Sequence, residues 1–174
     1  MFIDPTQIID SLDIEPGMKI ADFGSGAGFY AIALAKKAGE GGKVYAVDIQ
    51  KNMLEMVRSK SRLNHLLNIE TVWADLEKAN STRLKEDSID FILISSVLFQ
   101  IENKKNLLDE ARRILKPNGK VAVAEWEKNA PKIGPPAEHR LSSEETRNLF
   151  LENGFKLDKE VYAGEYHYGL VFRK

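Results

Sequence analysis

With 174 residues and a net charge of −1, the chain has the length of one domain, 1–174, and no strong field toward nucleic acid or anionic lipid. It contains no cysteine, which removes disulfides, thiolate metal sites and cysteine nucleophiles together. There is no apolar run of about 18 residues and no basic-then-apolar start, so neither a membrane span nor a signal peptide is expected, and a cytoplasmic protein fits best.

In chain order, Asp4-Pro5 reads as a helix start, with Ile8, Ile9 and Leu12 on the apolar stripe. Pro16-Gly17 is a turn, and a first strand ends through Ile20, Ala21 and Phe23. The turn Gly24-Ser25-Gly26-Ala27-Gly28 follows and opens a helix that runs to about Ala38, apolar enough to lie on a sheet. Gly39 to Gly42 breaks it, and Lys43 to Val47 is a second strand ending in Asp48. The next helix, about Lys51 to Asn64, buries Leu54, Val57 and Met53, with Arg58, Lys60 and Arg62 on a solvated face. Ile69 to Trp73 is a third strand, followed by Ala74-Asp75 and an irregular stretch, Leu76 to Asp87, expected to hold a short helix.

Ile89 to Ile94 is a continuous apolar run, the pattern of a central strand covered on both faces. A helix over Lys104 to Leu115 ends at Pro117-Asn118-Gly119, and Lys120 to Trp126 is a fifth strand. Asn129 to Arg140 is a Pro-rich loop, Ser142 and Glu145 make a capping box for a last helix, and Asn153-Gly154 closes it. Phe155 to Tyr162 and Tyr166 to Arg173 then form a hairpin around Ala163-Gly164-Glu165. Alternating strands and helices give a parallel α/β sheet by right-handed crossovers, with an antiparallel strand from the final hairpin.

The organising stretch is the glycine turn. A strand, a turn of alternating glycines and a helix N-terminus present free N–H groups and a positive dipole end to a polar or anionic ligand. In an open parallel sheet the carboxyl ends of successive strands line one crevice, so Asp48 and Asp75 should face that ligand. A dinucleotide would need a small residue at position 29 for close helix–strand packing, and Phe29 stands there, which argues against NAD or FAD.

These residues resemble the class I methyltransferases that use S-adenosylmethionine (SAM). Asp22-Phe23-Gly24-Ser25-Gly26-Ala27-Gly28 is similar to their first motif, Val44-Tyr45-Ala46-Val47-Asp48 to the second, and Ala74-Asp75 to the third. The resemblance runs from about Ile14 to the C-terminus. It implies a Rossmann-like three-layer sandwich with a seven-stranded, mostly parallel sheet of order 3-2-1-4-5-7-6. It further implies a SAM site, with S-adenosylhomocysteine as product, built from Asp22, Gly24, Ser25, Gly26, Gly28, Tyr30, Asp48, Ile49, Ala74, Asp75, Leu76 and Ser95. In the family the second-motif acid holds the ribose hydroxyls and the third motif binds the adenine edge.

The acceptor side is expected at the carboxyl ends of strands four and five and at the hairpin: Ser95, Ser96, Phe99, Glu125, Trp126, His139 and Tyr166. Methyl transfer from a sulfonium is an in-line displacement, so a base is needed only when the acceptor must lose a proton. His139 is the base candidate, His167 the alternative, and His65 is structural. The three share no ligand spacing, so no metal is expected.

Ile94-Ser95-Ser96-Val97 stands where amino-group and amide methylating members carry an Asn-Pro-Pro-Tyr-like motif, and cytosine-C5 and arsenite enzymes need cysteines. The layout from Ser95 through Val123 is similar to the small-molecule branch of the family, including quinone-biosynthesis methyltransferases, so the resemblance implies a small-molecule acceptor and no nucleic acid, with a site left open or completed by a second subunit. The alternatives are a non-catalytic SAM-binding regulatory or partner subunit and, less favoured, a nicotinamide oxidoreductase.

Overall fold

A computed structural model describes residues 5–131 and 133–174. One sheet of seven strands organises them: β1 (Lys19–Phe23), β2 (Lys43–Asp48), β3 (Ile69–Trp73), β4 (Ile89–Ser95), β5 (Leu115–Trp126), β6 (Lys156–Tyr162) and β7 (His167–Arg173). The order is β3-β2-β1-β4-β5-β7-β6, parallel except for β7, which runs antiparallel to both β5 and β6. Five helices complete it: α1 (Pro5–Ser11), α2 (Phe29–Ala38), α3 (Lys51–Leu63), α4 (Lys104–Ile114) and α5 (Ser143–Glu152). The expected N-cap Asp4 lies outside the described residues.

The period-2 alternation of the central strands sorts side chains into two cores. Ile20, Val44, Ala46, Phe91 and Leu93 pack with Ile8, Ile9 and Leu12 of α1, Ala31, Leu34 and Ala35 of α2, and Val57 of α3. Ala21, Phe23, Val47, Ile92 and Ile94 face the other way, against Leu107, Leu108, Ala111 and Ile114 of α4 and Phe150 of α5. Because both faces are covered, β4 needs apolar residues at nearly every position, which is the run seen in the sequence. Phe150 stacks on Phe172 of β7, with ring centroids 4.4 Å apart, and so pins α5 to the hairpin.

Three expectations are corrected. The stretch from Leu76 to Asp87 contains turns but no helix. Its anchor is instead Thr82, whose backbone N–H and hydroxyl both donate to the buried Glu110 carboxylate on α4. α4 stops at Ile114, and β5 begins at Leu115, before the Pro-Asn-Gly signal rather than after it. Lys116 precedes Pro117, which disfavours helical angles there, and Leu115 turns extended and pairs with Ile89. The β4–β5 register then jumps to Phe91 opposite Lys120, with Asn118 at φ 65 absorbing the extra residues as a bulge. Finally, β6 and β7 each start one residue later than the hairpin reading, at Lys156 and His167.

The capping box is present as read. The Ser142 side chain accepts from Glu145 N at 3.1 Å, and the Glu145 carboxylate accepts from Ser142 N at 2.7 Å. Lys128 donates to both oxygens of Glu145 at 2.9 Å. The Ser142 N–H, then Lys128, hold the Glu145 carboxyl down to about 2. Its contribution to stability is therefore present above the ordinary carboxylate value of about 4.3 and is lost as pH falls through the folded value. Ser142→Ala should cost about 1 kcal/mol and lower Tm by roughly 2–4 °C. Urea and thermal unfolding of the folded variant check this; an unchanged midpoint would show that the box contributes nothing.

Candidate functional site

The chain leaves β1 at Phe23 and turns at once. Gly24 N and Ser25 N both donate to Val47 O of β2, at 2.8 and 2.9 Å. Gly24 and Gly28 hold left-handed angles, φ 72 and 83, and both are packed against side chains: a Cβ on Gly24 would overlap Val97, and one on Gly28 would come within 2.8 Å of Val57 in α3. Gly26 differs, for a Cβ there would meet nothing within 4 Å. Its N–H donates to Asp48 Oδ2 at 2.8 Å, while Asp48 Oδ1 accepts Gln50 N at 2.8 Å. Asp48 thus fixes the glycine turn and the entry to α3 together.

A cleft of about 360 Å³ opens over this turn. Its walls are Gly24 and Gly26; Asp48, Ile49, Gln50 and Met53 from the end of β2 and α3; Ala74, Asp75, Leu76 and Glu77 after β3; and Ser96, Val97, Gln100 and Ile101 after β4. It lies at the carboxyl ends of β1 to β4, where the sheet order reverses between β1 and β4. That switch point is where open α/β sheets bind ligands. Trp73 Nε1 donates to Ile49 O at 2.8 Å, and Ala74 N to Asp48 O at 3.1 Å, so the second and third strand ends are fastened to each other. Asp75 Oδ1 accepts Glu77 N at 3.0 Å, and Glu77 in turn accepts Glu102 N and Asn103 N, tying that wall to the start of α4.

Of the residues expected around a cofactor, Gly24, Gly26, Asp48, Ile49, Ala74, Asp75 and Leu76 line the cleft, and so does Ser96, expected on the acceptor side. Asp22, Ser25, Gly28, Tyr30 and Ser95 are not among the lining residues. Four of these five carry a polar side chain, and those four are grouped beside the turn. Asp22 is 2% exposed, its Oδ2 has no partner, and Ser25 Oγ is also buried and unpartnered. Burial, then the nearby Asp48 charge, pushes the Asp22 carboxyl up to about 7, against a partial offset from the Ala31 N–H. The Tyr30 phenol is raised, mainly by burial and against the lowering effect of the Ser95 side chain. Two orphaned buried oxygens next to a left-handed glycine turn fit a ligand that carries a cationic or donor group.

Gln50, Met53, Glu77, Val97, Gln100 and Ile101 were not anticipated from the sequence. Gln50 and Glu77 each stand two residues after an aspartate, Asp48 at the end of β2 and Asp75 in the loop after β3, and each donates its backbone N–H to it, an Asx-turn signal that was available. Lys60 overturns the solvated reading of α3. Arg58 and Arg62 are exposed, but Lys60 Nζ donates to Ala27 O at 2.8 Å and lies 3.4 Å from the Phe29 ring centroid. α3 therefore clamps the glycine turn from outside, and Phe29 stays 64% exposed under that cation.

The acceptor-side candidates are more scattered. Glu125 is 3% exposed, and Oε1 accepts Val97 N and Leu98 N at 2.6 and 2.7 Å, so it faces the backbone rather than an open surface. Trp126 is half-buried under His167, with ring centroids 4.1 Å apart, and under Arg140 at 5.8 Å. Burial, then the Arg140 charge, pushes His167 down to about 4, so its imidazole is neutral at pH 7 and a weak base. Phe99 sits half-buried in the short turn Leu98–Gln100, and Tyr166, half-buried, precedes β7. His139 is exposed on the turn Ala137–His139, and no described residue of the loop from 129 to 140 lines the cleft. That loop is ordered by Arg140, buried and donating to the carbonyls of Pro135, Glu127, Ala130 and Ile133 at 2.8, 3.1, 3.2 and 2.6 Å. A lone arginine in a loop gives no such signal in a sequence.

Residues 14–164 match the family described as "Methyltransferase domain". The ubiquinone/menaquinone biosynthesis C-methyltransferase UbiE of Bordetella parapertussis is 28% identical over 164 residues, 87% of this chain and 62% of that protein. Demethylmenaquinone methyltransferase of Bacillus mycoides is 32% identical over 114 residues, 66% of this chain and 47% of that protein. The chain thus spans about half to two thirds of the length of these relatives. A SAM dependent methyltransferase from Aquifex aeolicus superposes with a TM-score of 0.90 at 30% identity, covering 99% of this chain and 90% of that one. The family match, the strand order and the cleft at the switch point agree, and the chain belongs to the class I SAM-dependent methyltransferases.

Proposed function

We propose that this chain transfers a methyl group from SAM to a small-molecule acceptor. The observation that carries the reading is the cleft at the β1–β4 switch point, with Asp48 and Asp75 on its walls and a buried Asp22 carboxyl with one unpartnered oxygen beside its glycine turn. In this proposal Asp48 holds the ribose hydroxyls, Asp75 and Leu76 meet the adenine edge, and the Asp22, Ser25, Tyr30 and Ser95 group receives the amino-acid end. When bound, SAM supplies an electrophilic methyl on a sulfonium, so the protein's share is to hold donor and acceptor in line and exclude water. Ser96 and Phe99 are the proposed acceptor contacts, with Trp126 and Tyr166 further along the same end of the sheet. His139 is the base proposed for an acceptor that must lose a proton. The quinone-pathway names of two relatives favour a small planar acceptor over a macromolecule. A SAM-binding partner subunit without catalysis is the second reading, favoured only by the absence of any described residue of the 129–140 loop from the cleft wall.

Calorimetric titration should show binding of SAM and S-adenosylhomocysteine, with NAD far weaker. Tight NAD binding without response to either would overturn the assignment. Methyl-labelled SAM with cell extract, followed by identification of the labelled product, separates an enzyme from a partner subunit.

Asp48→Ala should weaken S-adenosylhomocysteine by about tenfold or more, since charge-assisted hydrogen bonds contribute about 1.5–3 kcal/mol each. The variant also frees the N–H groups of Gly26 and Gln50, so a lower Tm is expected alongside. Wild-type affinity in the folded variant would remove Asp48 from the site.

Asp22 gives a pH signature. Its folded value of about 7 is above the ordinary value of about 3.9, so the folded state takes up a proton. The ligand-free protein therefore has this contribution in full below pH about 4 and loses it as pH rises through about 7. A cationic ligand group opposes that preference, because it favours the carboxylate. Affinity for S-adenosylhomocysteine should tighten as pH rises from about 6 to 8, with proton release that depends on buffer ionisation enthalpy. Asp22→Asn should abolish both the proton release and its share of the Tm slope; persistence of both would exclude Asp22 as their source.

A further inference from the structure

One wall of the cleft is held in a shape its own residues do not favour. Ser96 sits at φ 55, in the left-handed region where a side chain is strained. Its N–H donates to Ala124 O at 2.9 Å. The next residue, Val97, presses on Gly24 so closely that no Cβ would fit there. The segment then turns through Leu98–Gln100, and Ser96, Val97, Gln100 and Ile101 face the cavity.

What fastens this strap lies outside the cavity, on the neighbouring strand. The buried Glu125 carboxylate uses one oxygen to accept two consecutive backbone N–H groups, those of Val97 and Leu98. Burying a carboxylate is costly, and Glu125 is pushed up to about 7 mainly by that burial, against the backbone N–H groups, Leu98 first, and the more distant charge of Lys104. Two unsatisfied buried N–H groups would be the alternative.

We infer that Glu125 is a positioning residue for the donor cleft: it sets the strap from Ser96 to Ile101 against Gly24 and so fixes the cavity's width and its affinity for an adenosyl ligand. The identity of that ligand rests on the function proposed above. The mechanical claim, that Glu125 shapes the strap, does not. The same contact joins β5, on the acceptor side, to the donor half of the site, so the two halves are built against each other.

Four variants test this: Glu125→Ala, Glu125→Gln, Glu125→Ala combined with Ser96→Gly, and Glu125→Met. Amide hydrogen exchange at Val97 and Leu98 is read in the ligand-free protein, and S-adenosylhomocysteine affinity by calorimetry well below each Tm. Glu125→Ala should expose both amides to exchange about tenfold faster or more and weaken the ligand by about tenfold. Glu125→Gln keeps a side-chain oxygen that accepts the same N–H groups, so affinity should stay within about threefold of wild type. Ser96→Gly relieves the left-handed strain and should recover part of the affinity lost in Glu125→Ala. Glu125→Met, of similar volume but without a strong acceptor, carries the same expectation as Glu125→Ala where the cavity left by alanine prevents folding.

A folded Glu125→Ala or Glu125→Met protein with a lower Tm but wild-type affinity and unchanged exchange would reduce Glu125 to a stability role and overturn the inference. A Glu125→Gln variant as weak as Glu125→Ala would overturn the hydrogen-bond account. If no form of the protein, wild type included, binds S-adenosylhomocysteine, the proposed function fails, and the exchange rates alone decide whether Glu125 holds the strap.

Discussion

The Asp48 carboxylate is the constraint on which the donor end of the molecule depends. It stands at the last residue of β2, 6% exposed, and spends one oxygen on Gly26 N and the other on Gln50 N. One side chain thereby aligns the turn after β1 with the turn after β2, two segments that the sheet alone brings close but does not orient. Asp48 also lines the cleft. A carboxylate can do this because it has about four acceptor positions, whereas an amide or hydroxyl would run out. Around it the rest is fastened in series: Ala74 N to Asp48 O, Trp73 to Ile49 O, and Lys60 to Ala27 O from the far side of α3.

The sheet explains why these contacts converge. β1 feeds β2 and β3 on one side, and the chain then returns to place β4 and β5 on the other. Loops leaving β1 and β4 go to opposite faces, so a gap opens between them at the carboxyl end. Val97 closes part of that gap by packing on Gly24, and the cleft is what is left. The same packing explains the glycines. Gly24 and Gly28 are small because Val97 and Val57 need the room, and Gly26 is the one with open space beside it.

Much of this was legible in the sequence. Apolar patterning located the seven strands and five helices of the described residues, together with one short helix after β3 that is not there, and the strand order was implied by family resemblance. The donor half was also legible, because its residues sit immediately after strands, where a sequence gives a position: Asp48, Ile49, Ala74, Asp75 and Leu76 all line the cleft. What failed was anything set by packing between distant segments. Lys60 reads as one more charge on an amphipathic helix until α3 is laid beside the glycine turn. Glu125 reads as an acid at a strand end, pointing where ligands bind, until the strap from β4 arrives to claim its oxygen. The late start expected for β5 failed for a local reason: Pro117-Asn118-Gly119 is a strong stop signal, and a strand can absorb it as a bulge.

Arg140 has a consequence for how the acceptor end can diversify. Its guanidinium holds the loop through main-chain oxygens of Glu127, Ala130, Ile133 and Pro135. Every amino acid brings the same carbonyl to such a bond. The frame of the loop is therefore blind to the identity of the side chains it carries, so long as the arginine stays and the backbone path is kept. Gly134 is the exception, since its φ of 76 and its packing on Trp126 leave no room for a Cβ; exposed residues such as Asn129, Glu138 and His139 can be exchanged one by one while the scaffold beneath them holds its shape. A lineage can thus try new surfaces at this end of the sheet while the donor cleft, locked by side-chain-specific contacts, stays fixed.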